Sequence, residues 1–257
     1  MDKRPLISRH AAQPTGLRLV GLRAGSRLGD PLLSAEDLAE RGRQEVRSLL
    51  ARRREALERQ WQRQLAASGI PERFRSKGFA DYEVDIAEQV RARSICQDYA
   101  CARSVGQRPG ETLLLLGGPG TGKTHLACAI LATLVRAGQR GWYVSLPSAL
   151  RSLRDASASR SQGSEAEAFA QLSAPDLLVL DDLTDAPEQD PRGVLFEVLD
   201  TRYAQQRATI LIGDLPVPRL EQTLGPRILE RLHEAGTRQV AFTWPSHRRR
   251  AGSAQAS

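Results

Sequence analysis

The stretch Leu113–Ile130, LLLLGGPGTGKTHLACAI, decides the fold. Its four leucines read as a buried strand, GGPGTG as a glycine-rich turn, and HLACAI as the apolar start of a helix. Gly117, Gly122, Lys123 and Thr124 complete the pattern G-x-x-x-x-G-K-[ST]. Glycines let the backbone curl so that its N–H groups face phosphate oxygens, and the following helix adds its positive end. Lys123 is expected to reach the β- and γ-phosphates, and the Thr124 hydroxyl to ligate Mg2+. The expected nucleotide-binding residues are Gly117, Gly118, Pro119, Gly120, Thr121, Gly122, Lys123, Thr124 and His125, with ATP and Mg2+ as cofactors.

Downstream, LLVLDDL is an apolar strand ending in two acids. Asp181 at its carboxyl end is expected to hold the Mg2+ water shell, and Asp182 to polarise an attacking water. Two adjacent carboxylates favour hydrolysis over transfer to a small-molecule acceptor. A later strand, ATILIGDLP, ends at Asp214, which is expected near the γ-phosphate. Arg227 and Arg231 lie one helical turn apart in LGPRILERL, so they share a face from which an arginine can reach a neighbouring subunit's nucleotide. A solvated arginine face reads equally from the same spacing.

The remaining segments alternate strand-like RGWYVSLP, DLLVLDDL, ATILIGDLP and RQVAFTW with helix-like stretches. That alternation predicts an α/β fold, a P-loop NTPase core whose parallel sheet is flanked by helices. A helical N-terminal region precedes it. Residues 1–33 scatter Pro and Gly without a period and are expected to be disordered. Residues 34–78 form a helical partner-binding region and connector, 79–244 the ATPase domain, and 245–257 a disordered tail. Ser34 and Asp37 resemble a capping box, and Val46, Leu50, Leu57, Trp61 and Leu65 keep a narrow apolar stripe among arginines.

Residues 1–78 hold 17 Lys and Arg against 9 Asp and Glu, a net of +8, within a whole-chain net charge of +7. The basic excess therefore sits entirely in the N-terminal third. It implies nucleic acid or an acidic partner, or a solvated basic helix, and charge alone leaves these open. Only Lys3, Lys77 and Lys123 are lysines, which sets Lys123 apart in an arginine-biased chain. Cys96, Cys101 and Cys128 form no CxxC pair, so neither a disulfide framework nor a zinc site is expected. No apolar run is long enough to span a membrane and no signal sequence opens the chain, so a cytoplasmic location is expected.

These motifs, in this order, resemble an AAA+ ATPase of the initiator clade, and within it the bacterial DnaC-type helicase loaders. The resemblance covers roughly Ile70 to Arg248. GIPERFRSKGFADY is similar to the connector before that family's ATPase core. GGPGTGKTHLACAI and LLVLDDL resemble its Walker motifs, LGPRILERL its LGERxxxRx segment, and FTWPSHR its terminal FNWxSYR.

The resemblance implies that Arg231 is an arginine finger and Arg227 a supporting position. It places Asp214 at the first sensor, where the family usually has Asn, and Asp182 where it usually has a catalytic Glu. A carboxylate beside the γ-phosphate repels it unless protonated or paired, so this departure bears on hydrolysis rate. Arg248 falls at the second sensor. The segment holding Arg151 and Arg154 matches helices that line an oligomer's channel and touch single-stranded DNA in this clade, and an ordinary connecting helix fits as well.

The implied function is ATP-dependent loading of a replicative hexameric helicase onto single-stranded DNA, with residues 34–68 as the helicase contact and a homo-oligomer forming around ATP. Two alternatives share the core. One is a transposition helper ATPase of the IstB type, acting with a transposase on duplex DNA. The other is a nucleotide-binding adaptor with little turnover, which Asp182 and Asp214 motivate.

Overall fold

Alternate leucines of the decisive strand feed two separate cores. Leu113 and Leu115 belong to one buried cluster, and Leu114 and Leu116 to another. A strand turns successive side chains to opposite faces, so this split places the strand centrally, with both faces covered. The computed structural model describes residues 34–107, 110–158, 162–183, 192–216, 224–234 and 236–247, together with 219 and 222. The expected disorder of 1–33, most of the expected tail and Arg248 lie outside those residues.

The sheet comprises β1 (Thr112–Gly117), β2 (Gly141–Ser145), β3 (Leu177–Leu183), β4 (Ala208–Gly213) and β5 (Thr237–Phe242), in the order β2-β3-β4-β1-β5. Every pairing is parallel, as the strand–helix alternation predicts. Between them run α4 (Lys123–Arg136), α5 (Leu146–Ala158), α6 (Gln162–Ser173), α7 (Arg192–Ala204) and α8 (Pro226–Glu234), and α1 (Ala35–Ala67), α2 (Glu72–Arg75) and α3 (Ala87–Ser104) precede β1. One core cluster takes Leu126, Ile130 and Leu134 of α4 with Cys96, Tyr99 and Ala100 of α3. The other takes Leu153, Leu172, Val198, Leu199, Ile228 and Leu232 from α5 to α8.

A register shift between Leu180 and Leu183 leaves Asp182 in left-handed backbone, φ 60°. Pairing resumes at Leu183 with Gly213, so the irregularity sets Asp181 and Asp182 at the carboxyl edge of the sheet, where ligands of open α/β folds bind.

Two compact units divide the chain at Arg53/Arg54, and α1 crosses the division. In the first unit the capping box holds: Ser34 N–H donates to Asp37 Oδ2 at 3.0 Å, and Asp37 N–H to Ser34 Oγ at 3.1 Å. Residues 35–53 are exposed on every side, with Val46, Leu49 and Leu50 between 56 and 61% accessible. In the second unit Leu65 is buried, Trp61 packs against the same cluster, and the Arg136 guanidinium lies 4.0 Å from the Trp61 ring centroid. The helix therefore ends inside the core of the second unit, and the expected boundary at residue 78 falls within that unit. No helix among the described residues is long and apolar enough to cross a membrane.

Candidate nucleotide-binding site

The loop between β1 and α4 closes only because two positions lack a side chain. Gly117 has φ 144°, and a Cβ there would stand 2.2 Å from the Phe242 carbonyl oxygen on β5. Gly122, with φ 98°, would drive a Cβ to 2.5 Å from the Tyr82 ring. Carbonyls of the loop are bound from both flanks. Tyr82 O–H and Trp244 Nε1–H donate to Thr121 O at 3.2 and 2.9 Å, and His247 N–H donates to Gly120 O at 2.9 Å. At the start of the expected tail, His247 is tied to the loop, and its ring lies 2.7 Å from Glu83 Oε2.

Lys123 opens α4 with its side chain only 6% exposed. Its ammonium donates to Gly117 O at 2.6 Å and Gly118 O at 2.8 Å, and lies 2.6 Å from Asp214 Oδ1. Asp214 follows Gly213, which pairs with Leu116, so β4 delivers this carboxylate beside the loop.

The next residue meets the second acidic motif. Thr124 Oγ1–H donates to Asp181 Oδ2 at 2.8 Å, and Tyr143 O–H from β2 donates to the same oxygen at 2.6 Å. Asp182 N–H takes Asp181 Oδ1 at 2.7 Å, so both carboxylate oxygens are held. Burial and the hydrogen bond to Asp181 push the Tyr143 hydroxyl far above its ordinary value, so it stays a donor. Partial burial, then Asp181, then Asp214 push the Asp182 carboxyl upward. A hydroxyl and a carboxylate at this spacing suit Mg2+, which keeps most of its shell as water and phosphate oxygens.

His125 reaches the connector. Its Nε2 lies 2.9 Å from Gly78 O, and its ring is 5.5 Å from that of Tyr82 and 5.9 Å from that of Phe74. With Trp244, these rings line a cleft of about 210 Å3 that runs onto Gly120–Thr124. An aromatic slot beside a phosphate loop can take a planar base by stacking. Spacing alone missed Tyr82, Tyr143, Trp244 and His247. The available signal was aromatic scarcity: with Phe, Trp and Tyr only 5% of the chain, those in the short connector and terminal segments stand out.

The other expected residues lie elsewhere. Arg231 Nε donates to Asp200 Oδ1 at 2.9 Å and its Nη1 to Glu234 Oε2 at 3.1 Å, with the guanidinium 5.1 Å from the Tyr203 ring. The Arg227 guanidinium lies 5.8 Å from the Phe196 ring. These two arginines share a face, as their spacing requires, and their aromatic contacts are with α7. Arg151 and Arg154 stand exposed on α5, and Arg154 Nε–H reaches back to Leu150 O at 3.3 Å.

A family model described as "IstB-like ATP binding protein" matches residues 35–242. The uncharacterized protein YdaV of Escherichia coli K12 is 33% identical over 186 residues, 72% of this chain and 73% of that one. The replicative helicase loader DnaC of Escherichia coli K12 is 29% identical over 193 residues, 74% of this chain and 76% of its own length. A crystal structure of the DnaC helicase loader superposes with a TM-score of 0.59 at 21% identity, covering 67% of this chain and 99% of that one, a likeness of fold.

Proposed function

Because this chain belongs to the IstB-like ATP-binding protein family, matched over residues 35–242, we propose that it is an ATPase that loads a replicative DNA helicase onto single-stranded DNA. ATP binding assembles the loader with the helicase, and hydrolysis releases it. The observation that carries the enzymatic half is the 2.8 Å bond from Thr124 to Asp181 beside the buried Lys123, which joins the phosphate loop to the acidic strand. The likeness to DnaC supports the loader half, as does the exposed row of Val46, Leu49 and Leu50, a surface for a protein partner.

In this reading Lys123 holds the β- and γ-phosphates, and Thr124 and Asp181 hold Mg2+, which neutralises phosphate charge when bound. Asp182 polarises the attacking water. Arg231 leaves Asp200 and Glu234 to reach a neighbouring protomer's terminal phosphate, steadied by Arg227. Arg151 and Arg154 contact DNA phosphates through an exposed helix face.

Native mass spectrometry of the full chain mixed with its host's replicative helicase, with and without ATP, tests the proposal. A complex lost in Val46→Glu/Leu50→Glu supports it. No complex under any nucleotide condition overturns it. The family description favours one second reading, a transposition helper of the IstB type. That reading expects a nucleotide-dependent complex with duplex DNA and a transposase instead.

A further inference from the structure

The Lys123 ammonium has three hydrogens and three partners, and only one partner is charged. Gly117 O and Gly118 O are neutral carbonyls of the loop, whereas Asp214 Oδ1, 2.6 Å away, is an anion where a phosphate oxygen has to arrive. The lysine side chain is 6% exposed and that of Asp214 47%, so the carboxylate has room to leave while the ammonium has none. We propose that Asp214 competes with the terminal phosphate for Lys123, so that the site favours a nucleoside diphosphate over the triphosphate. Triphosphate binding then requires Asp214 to swing out from the end of β4.

Backbone register fixes the competitor's place. Gly213 pairs with Leu116 on one side and with Leu183 on the other, so Asp214 emerges between the phosphate loop and the acidic end of β3. Asp181 and Asp182 already stand there, near the carboxyl end of β3. The corner that receives a third phosphate is therefore crowded with carboxylates facing a single buried ammonium. A diphosphate ends short of this corner and can leave the Asp214–Lys123 pair in place. A triphosphate adds negative charge against Asp214 itself.

The inference rests on the loop being an ATP site and not on the identity of any partner. The test is calorimetric titration of the full chain with ADP and with the non-hydrolysable analogue AMPPCP, both with Mg2+. Wild type is compared with Asp214→Asn, which keeps the side-chain shape, and with Asp214→Ala. Thermal melts establish that each variant is folded. We expect wild type to prefer ADP, and both variants to raise the AMPPCP-to-ADP affinity ratio at least ten-fold, with ADP affinity changing less than three-fold. An unchanged ratio overturns the proposal, as does an equal gain for both nucleotides. Absence of binding by every variant overturns this proposal and the ATP site together. A helicase that fails to bind while the ratio shifts as expected overturns the loader reading alone.

Discussion

The Tyr143 hydroxyl and the Thr124 hydroxyl meet at one atom, Asp181 Oδ2, with the tyrosine the shorter bond at 2.6 Å. Thr124 is expected to turn its oxygen toward a bound Mg2+, whereas Tyr143 stays with the carboxylate. Tyr143 thereby orients the ligand from behind, and such supporting bonds are typically worth about 10–100-fold in metal affinity. Tyr143→Phe is therefore expected to weaken Mg2+-dependent nucleotide binding about ten-fold. Binding in EDTA should change little. Equal weakening with and without Mg2+ would show that Tyr143 merely shapes the strand.

Arg202 is 1% exposed, yet every direction of its fork is used. It donates to Thr209 Oγ1 at 3.0 Å, to Leu172 O at 3.1 Å, Ser173 O at 3.2 Å and Pro175 O at 2.8 Å, and to Ala208 O. One guanidinium thus caps the end of α6 and joins it to β4. Arg202→Met keeps the volume but strands those carbonyls, and each buried unsatisfied group costs about 1–3 kcal/mol. Urea denaturation should show a loss of at least ~3 kcal/mol. A loss below ~1 kcal/mol would mean that water reaches the carbonyls.

What could be read from the sequence was what lies close along the chain. Lys123 and Thr124 were legible because a phosphate loop needs contiguous residues, and Asp181 because a strand end delivers it. The unbroken run of four leucines announced a buried strand, whose two faces feed separate cores. The Lys123–Asp214 pair was not legible, because it depends on β4 lying between β1 and β3, an order set by packing. Tyr143 was hidden for a similar reason: its hydroxyl reaches Asp181 only in the register that aligns β2 with β3. Helical periodicity found the stripe from Val46 to Leu65 but gave no sign that only its last turns enter the core.

The cysteines make a simple chemical prediction. Cys96 is fully buried and burial pushes its thiol up to about 12, and burial also raises Cys128, while Cys101 is exposed. The thiolate is the reactive form, so the buried pair should be inert near pH 8. A thiol reagent should label one residue per folded chain and all three in denaturant. Rapid labelling of a second site in the native protein would reveal local opening of α3 or α4.

Asp182 combines an unfavourable backbone with an unfavourable charge. Its φ is 60°, and its carboxyl is raised above the ordinary 3.8 by burial and by the neighbouring Asp181 and Asp214. A carboxyl with a raised folded value holds its proton more tightly in the folded state. The charge penalty is therefore absent below about 3.8, grows as pH rises through the folded value, and is constant above it. Asp182→Asn removes the charge and suits left-handed backbone at least as well. Without ligand, its urea midpoint should exceed that of wild type at pH 7 and match it near pH 3. The same variant loses the carboxylate proposed to polarise water, so ATP hydrolysis should fall while the fold gains stability. A midpoint gain that is equal at both pH values would assign the effect to the backbone alone and remove charge crowding as its cause.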